Sequence, residues 1–211
     1  IKNPYNFNYA VFFDCANPVK QDNDIILDKI ENFLEENKKK YKNFKLIFRP
    51  HPYTLNEELE IIDFSKYKNI ILDPQMKSRY TYNLPESKMT SDDFKYSLSL
   101  IKNSKFILTS ASSVTIEASI FYKNIILFSP KNETVKKRLI DVWEQFNDVA
   151  KFPNIKICDD PNTILNYIKK SISPQKKTSH NKIDKYRNKI VFSDGKKFSS
   201  RLYGKISSVI Y

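Results

Sequence analysis

Apolar residues along this 211-residue chain gather into short, nearly continuous runs separated by longer segments of helical periodicity. Residues 9–13 (Tyr-Ala-Val-Phe-Phe), 44–48, 69–72, 106–108, 124–128 and 155–157 are rich in aromatic and β-branched side chains and read as strands. Between them, residues 24–40 place Ile26, Leu27, Ile30, Phe33 and Leu34 on the i, i+3, i+4, i+7 face of a half-buried helix. Further helices are predicted around 56–66, from a capping-box-like start at Thr90-Ser-Asp-Asp93 to about 103, over 114–121, within 135–146 and over 161–171. Residues 73–90 read as a long polar loop.

Strands that are apolar throughout, rather than alternating, belong to a parallel sheet covered on both faces. The βαβα order then predicts a doubly wound, mostly parallel, Rossmann-like α/β sheet. The hexapeptide Tyr-Lys-Asn-Ile-Ile-Leu occurs twice, at 67–72 and 122–127. We read the repeat as two uses of one local solution. Asn69 and Asn124 would take the left-handed conformation that closes a helix, in a chain with only two glycines.

Composition narrows the function. Two glycines exclude the glycine-rich phosphate loops and collagen-like or Gly-linker readings. No apolar run approaches the roughly 20 residues of a membrane-spanning helix. Cys15 and Cys158 fit free buried thiols in a reducing compartment rather than a disulfide scaffold. The net charge of +12 is uneven: residues 161–211 hold twelve basic and two acidic residues, whereas residues 1–160 hold 24 and 22. The division is therefore a Rossmann-like domain over 1–173 and a basic helical tail over 174–211. Paired lysines such as Lys176/Lys177 and Lys196/Lys197 are point charges, without the planar fork that reads bases, and no recognition module is visible, so nucleic acid is not an expected partner. An anionic membrane surface or a lipid-linked acceptor suits the tail better. The chain opens at Ile1 with no signal-peptide pattern, and is expected to be the C-terminal part of something longer, cytoplasmic or peripheral on the inner face of the cell membrane.

Ligands of such sheets bind at the carboxyl ends of the strands, and two of those ends carry chemistry. Arg49-Pro50-His51-Pro52 presents a guanidinium and an imidazole held between prolines, able to bind a phosphate or protonate a departing one. Thr109-Ser110-Ala111-Ser112-Ser113 leads into a helix whose first N–H groups and dipole attract anions, with hydroxyls added by Ser110, Ser112 and Ser113. Glu117, about one turn further, could accept hydrogen bonds from ribose hydroxyls. Tyr80 and Tyr82, beside Arg79, are candidates for stacking on a nucleobase. Asp22-Asn23-Asp24 has the spacing of a metal-binding Asp-x-Asp but lies at a helix start and reads as a cap, so no metal ligand is assigned.

The pairing of Arg49-Pro50-His51-Pro52 with Ser112-Ser113 and Ile116-Glu117-Ala118 resembles the nucleotide-binding half of GT-B-fold bacterial glycosyltransferases of capsule and surface-polysaccharide synthesis, with bacterial sialyltransferases and Kdo transferases nearby. The resemblance covers residues 9–130 and, loosely, a tail carrying Phe192-Ser-Asp-Gly-Lys196 and Arg201. It implies transfer of a sugar from a CMP-, CDP- or UDP-linked donor to a glycan or lipid-linked acceptor. His51 would be catalytic, Arg49, Ser110, Ser112 and Ser113 would hold the donor phosphate, and Glu117 the ribose. It implies no metal and no cofactor beyond the nucleotide-sugar substrate, and an N-terminal acceptor domain, absent here, supplying the general base. Where relatives carry Gly-Lys-Pro after the Glu-bearing helix, this chain has Tyr122-Lys123-Asn124, with Asn expected to take the glycine's place. Two alternatives remain: a sugar-nucleotide epimerase or hydrolase on the same fold, and a non-catalytic basic module binding RNA or anionic membranes.

Overall fold

A computed structural model describes residues 2–14, 23–52, 55, 62–82, 90–110, 112–128, 148–172 and 180–190. Six strands, β1 (Asn8–Phe13), β2 (Phe44–Arg49), β3 (Ile70–Leu72), β4 (Phe106–Thr109), β5 (Asn124–Phe128) and β6 (Ile155–Cys158), form one sheet. Their order is β3-β2-β1-β4-β5-β6, and all five pairings are parallel. The doubly wound Rossmann-like sheet expected from the apolar runs is therefore present. The strand order reverses direction between β1 and β4, so the crevice of such a sheet lies at their carboxyl ends.

The helices are α1 (Asn23–Glu36), α2 (Pro74–Thr81), α3 (Ser91–Asn103), α4 (Ser113–Ile120), α5 (Ile164–Ile172) and α6 (His180–Ile190). Alternate side chains along each strand enter two cores. One packs Phe12, Leu46, Phe48 and Leu108 against the apolar stripe of α1 and against Ile164 and Ile168 of α5. The other packs Val11, Ile47, Ile107 and Ile125 against Leu100 and Ile101 of α3 and Ala118 of α4. Fully burying one such side chain contributes about 1.5–3 kcal/mol, so the two faces together hold the sheet between layers.

Several local expectations change. The expected loop after residue 73 begins with α2: Asp73 caps it by accepting from the N–H groups of Gln75 and Met76, and Pro74 occupies its first turn. Of the helix expected at 56–66, residues 56–61 lie outside the described residues, and the rest shows only a 3-10 turn at Phe64–Lys66. The helix expected within 135–146, and Cys15, also lie outside them; Cys158 is buried and free. The expected capping box is present, with Thr90 and Asp93 bonding reciprocally at the start of α3.

The left-handed residue is not an asparagine. Among the described non-glycine residues Tyr122 alone has positive φ, at 54°. The Tyr122 side chain is held by α6. Its ring stacks on His180 at 3.9 Å and its hydroxyl donates to Asp184 Oδ1 at 2.9 Å. Asn69 works through its side chain instead, donating to Glu31 and Glu35, while the buried Glu31 carboxylate also accepts the N–H groups of Lys68 and Asn69. Part of the basic C-terminal segment thus folds back on the body. Ile183 of α6 is buried, and Tyr186 packs on Phe152 at 5.8 Å between ring centres.

Candidate functional site

The parallel register brings the ends of β1, β2 and β4 side by side: Phe13 is level with Arg49 on one side and with Thr109 on the other. His51, two residues beyond β2, is half-buried. The Ser-rich turn beyond β4 lies two strand spacings away, about 10 Å. Between them is the end of β1, where Asp14 is buried and its N–H donates to the Arg49 carbonyl at 3.0 Å. The two motifs are therefore placed across the crevice from one another.

Ser112 occupies the N-cap of α4 in an extended conformation (φ −149°, ψ 168°) but makes no side-chain cap bond. Its carbonyl accepts from Thr115 N at 3.0 Å, and its hydroxyl sits 3.3 Å from the Thr109 hydroxyl. The Thr109 hydroxyl in turn donates to the Ser110 carbonyl at 3.0 Å. Ser113 is exposed in the first turn, and Ser110 is fully buried. This leaves the start of α4 without the self-capping that normally satisfies a helix's first N–H groups, at the point where the sheet opens.

Arg49 is more constrained than its sequence position suggests. Its Nη1 donates to Asp73 Oδ2 at 2.8 Å and its Nη2 to Gln75 Oε1 at 2.6 Å. Gln75 also donates to Asp93 Oδ1 at 2.6 Å, and the guanidinium carbon lies 5.8 Å from the centre of the Tyr96 ring. With side-chain exposures of 7% and 0%, Arg49 and Asp73 form a buried ion pair, which needs such partners to offset its desolvation. Two terminal nitrogens are engaged, so Arg49 presents its charge to its surroundings more than an open fork. That charge reaches Glu117. Burial pushes the Glu117 carboxyl above its ordinary value, and Arg49 opposes the shift.

Asn23 opens α1 next to the same crevice. It is 2% exposed, and neither atom of its amide has a hydrogen-bond partner among the described residues. Sequence reasoning missed Asn23 as a site residue, as it missed Asp14, Asp73 and Gln75. A signal existed only for Asp73, since Asp-Pro is a helix-start signature. Tyr80 and Tyr82 lie at the end of α2 rather than in a loop, both exposed, with Arg79 buried. Among the described residues no group of three His, Cys, Asp or Glu is close enough to hold a metal ion, and no helix is long and apolar enough to cross a membrane.

No family model matches the chain, and no curated protein matches it. Solved structures do. The wall teichoic acid polymerase TagF superposes with a TM-score of 0.56 at 17% identity over 88% of this chain and 40% of TagF. A histidine-to-asparagine variant of TagF soaked with CDPG gives 0.50 at 16% identity, over 97% and 42%. The Staphylococcus aureus MnaA–UDP structure gives 0.49 at 16% identity, over 80% and 37%. The chain spans about two fifths of the length of these proteins, and what it shares with TagF is the fold.

Proposed function

We propose that this chain is the donor-binding half of a GT-B-type transferase of bacterial surface-polymer synthesis, holding a nucleotide-activated donor in the crevice between β1 and β4. The observation that carries the reading is the start of α4: a helix N-terminus without a side-chain cap, carrying the Ser112 and Ser113 hydroxyls, at the switch point of the sheet. An anionic diphosphate is the ligand that such an end attracts. Ser112 and Ser113 bind it, and Ser110 supports the turn from within. Asn23 supplies the buried donor and acceptor of its amide, and Glu117 takes the ribose hydroxyls. His51, across the crevice, stabilises or protonates the leaving phosphate. Arg49 contributes positive charge at range, held in place by Asp73 and Gln75. The acceptor is a glycan or lipid-linked chain, and the base that activates it belongs to another part of the full protein.

The fold shared with a polymerase soaked with CDPG makes CDP the first nucleotide to test. Calorimetric titration with CDP, CMP, UDP and GDP should give one clear binder. Hydrogen bonds to a charged group contribute about 1.5–3 kcal/mol each. Ser112→Ala/Ser113→Ala and Asn23→Ala should therefore each weaken binding by roughly tenfold or more. In the full-length protein His51→Ala should bind nucleotide normally and lose transfer. Absence of nucleotide binding, or undiminished turnover by a folded His51→Ala protein, would overturn the reading. A changed or released sugar without an enlarged acceptor would replace it with the epimerase or hydrolase alternative.

A further inference from the structure

In a doubly wound parallel sheet the helices run back against the strands, so strand starts and helix ends share the end opposite the crevice. That end is lined with lysine. Two pockets open there. The larger, about 470 Å³, is lined by Lys40, Lys42 and Lys105 together with Asn8, Asn43 and Ile172. The smaller, about 160 Å³, is lined by Lys156 and Lys170 together with Asn124, Tyr167 and Ser171. They share the C-terminal end of α5, whose Ser171 and Ile172 face one pocket each. No acidic residue lines either one, and all five lysines are exposed. Carboxylates occur at both ends of the sheet, with Asp14, Asp73 and Asp93 at the crevice and Glu31, Glu35 and Glu36 at the end of α1, but those of α1 lie outside the two pocket linings.

The two pocket linings are thus locally basic within a body whose charge over residues 1–160 is nearly balanced. Lysines at helix ends also favour the helix dipole, which accounts for Lys170 alone of the five. Lys42 and Lys105 precede strands, and Lys156 lies within β6. The array extends from the start of β2 to β6, four strand spacings or about 19 Å. It crosses the end of the sheet instead of following one groove, so it matches a planar partner better than a thread.

We propose that the amino-terminal end of the sheet is a docking face for anionic phospholipid headgroups, with the two lysine-lined pockets each taking a lipid phosphate. The crevice would then open away from the bilayer, toward water. This inference does not rest on the donor reading, and it moves membrane contact from the tail to the body of the fold.

Vesicle co-sedimentation of the full chain tests it, using phosphatidylcholine alone and mixed 3:2 with phosphatidylglycerol, at low and at physiological salt. Each lysine near an anionic surface contributes about fivefold in affinity. Lys40→Gln/Lys42→Gln/Lys105→Gln should therefore weaken binding to the mixed vesicles on the order of 100-fold, and Lys156→Gln/Lys170→Gln about 25-fold. Lys77→Gln/Lys95→Gln, on α2 and α3, should leave it unchanged, and circular dichroism melts confirm that each variant is folded. Failure to bind the anionic vesicles overturns the proposal, as does binding that survives the pocket changes and falls with Lys196→Gln/Lys197→Gln. Face-dependent binding of long-chain polyphosphate with none to vesicles would also overturn it, in favour of a soluble polyanion.

Discussion

Glu117 is held between two opposing influences. Burial raises the pKa of its carboxyl, and the charge of Arg49 lowers it, with burial the larger. The folded state therefore binds the Glu117 proton more tightly than the unfolded chain does. Its contribution to stability is full below the ordinary value of 4.5 and declines as pH rises through the raised one. Glu117→Gln removes that slope. In melts between pH 4 and 7, the variant should gain on the parent as pH rises, and parallel profiles would show that Glu117 is not the source. Little of this was legible beforehand. The sequence placed Glu117 one turn into a helix after a serine turn, which is where it lies, but its burial against Arg49 depends on the register of β2, β1 and β4. The Asn23 amide, without a hydrogen-bond partner among the described residues, was beyond reach for the same reason. A residue that read as part of a helix cap is 2% exposed.

At the level of elements, apolar periodicity identified strands and long helices well, because burial sets both. It failed where polar residues make structure. Asp73 reads as a loop residue, yet it caps α2, pairs with Arg49 and donates its N–H to the Phe48 carbonyl at 2.8 Å. The repeated hexapeptide shows the complementary limit. Tyr67 leads into β3 with φ −94°, whereas Tyr122 leads into β5 with φ +54°. Six identical residues take two backbone paths in two surroundings: the Tyr122 hydroxyl donates to Asp184 of α6, and the Tyr67 hydroxyl donates to Asp28 of α1 at 2.7 Å. The ion pair between β2 and α2 gives this level its test. Asp73→Ala leaves a guanidinium buried and short of a partner and removes a helix cap. We expect a loss of about 3–5 kcal/mol in denaturant unfolding. Arg49→Met/Asp73→Leu, which removes both charges, should cost much less. If the single and double variants are equally destabilised, the cap rather than the buried charge dominates.

Across the whole molecule, composition reported a basic protein with a basic tail, and the folded chain refines that picture. Residues 180–186 of the basic segment pack on α4 and on the turn that follows it, and the body clusters five lysines in two pocket linings that hold no carboxylate. Net charge summed along a chain cannot reveal such clustering, since residues far apart in sequence meet at one end of a parallel sheet. With a net charge of +12 the fold also works against its own repulsion, most strongly where Lys40, Lys42 and Lys105 line one pocket. Screening at 0.5 M salt, where the Debye length falls to a few ångströms, should relieve it. Raising sodium chloride from 0.05 to 0.5 M should stabilise the protein by on the order of 1 kcal/mol, or roughly 2–4 °C in Tm for a domain of this size. The gain should shrink in Lys40→Gln/Lys42→Gln/Lys105→Gln, which removes part of the repulsion beforehand. It should persist in Lys77→Gln/Lys95→Gln, where the lysines lie apart from the array and Lys95 is paired with Asp92 at 2.7 Å. A salt response equal in both variants would mean that the repulsion is spread over the surface, and that the lysine-lined end is no special concentration of charge.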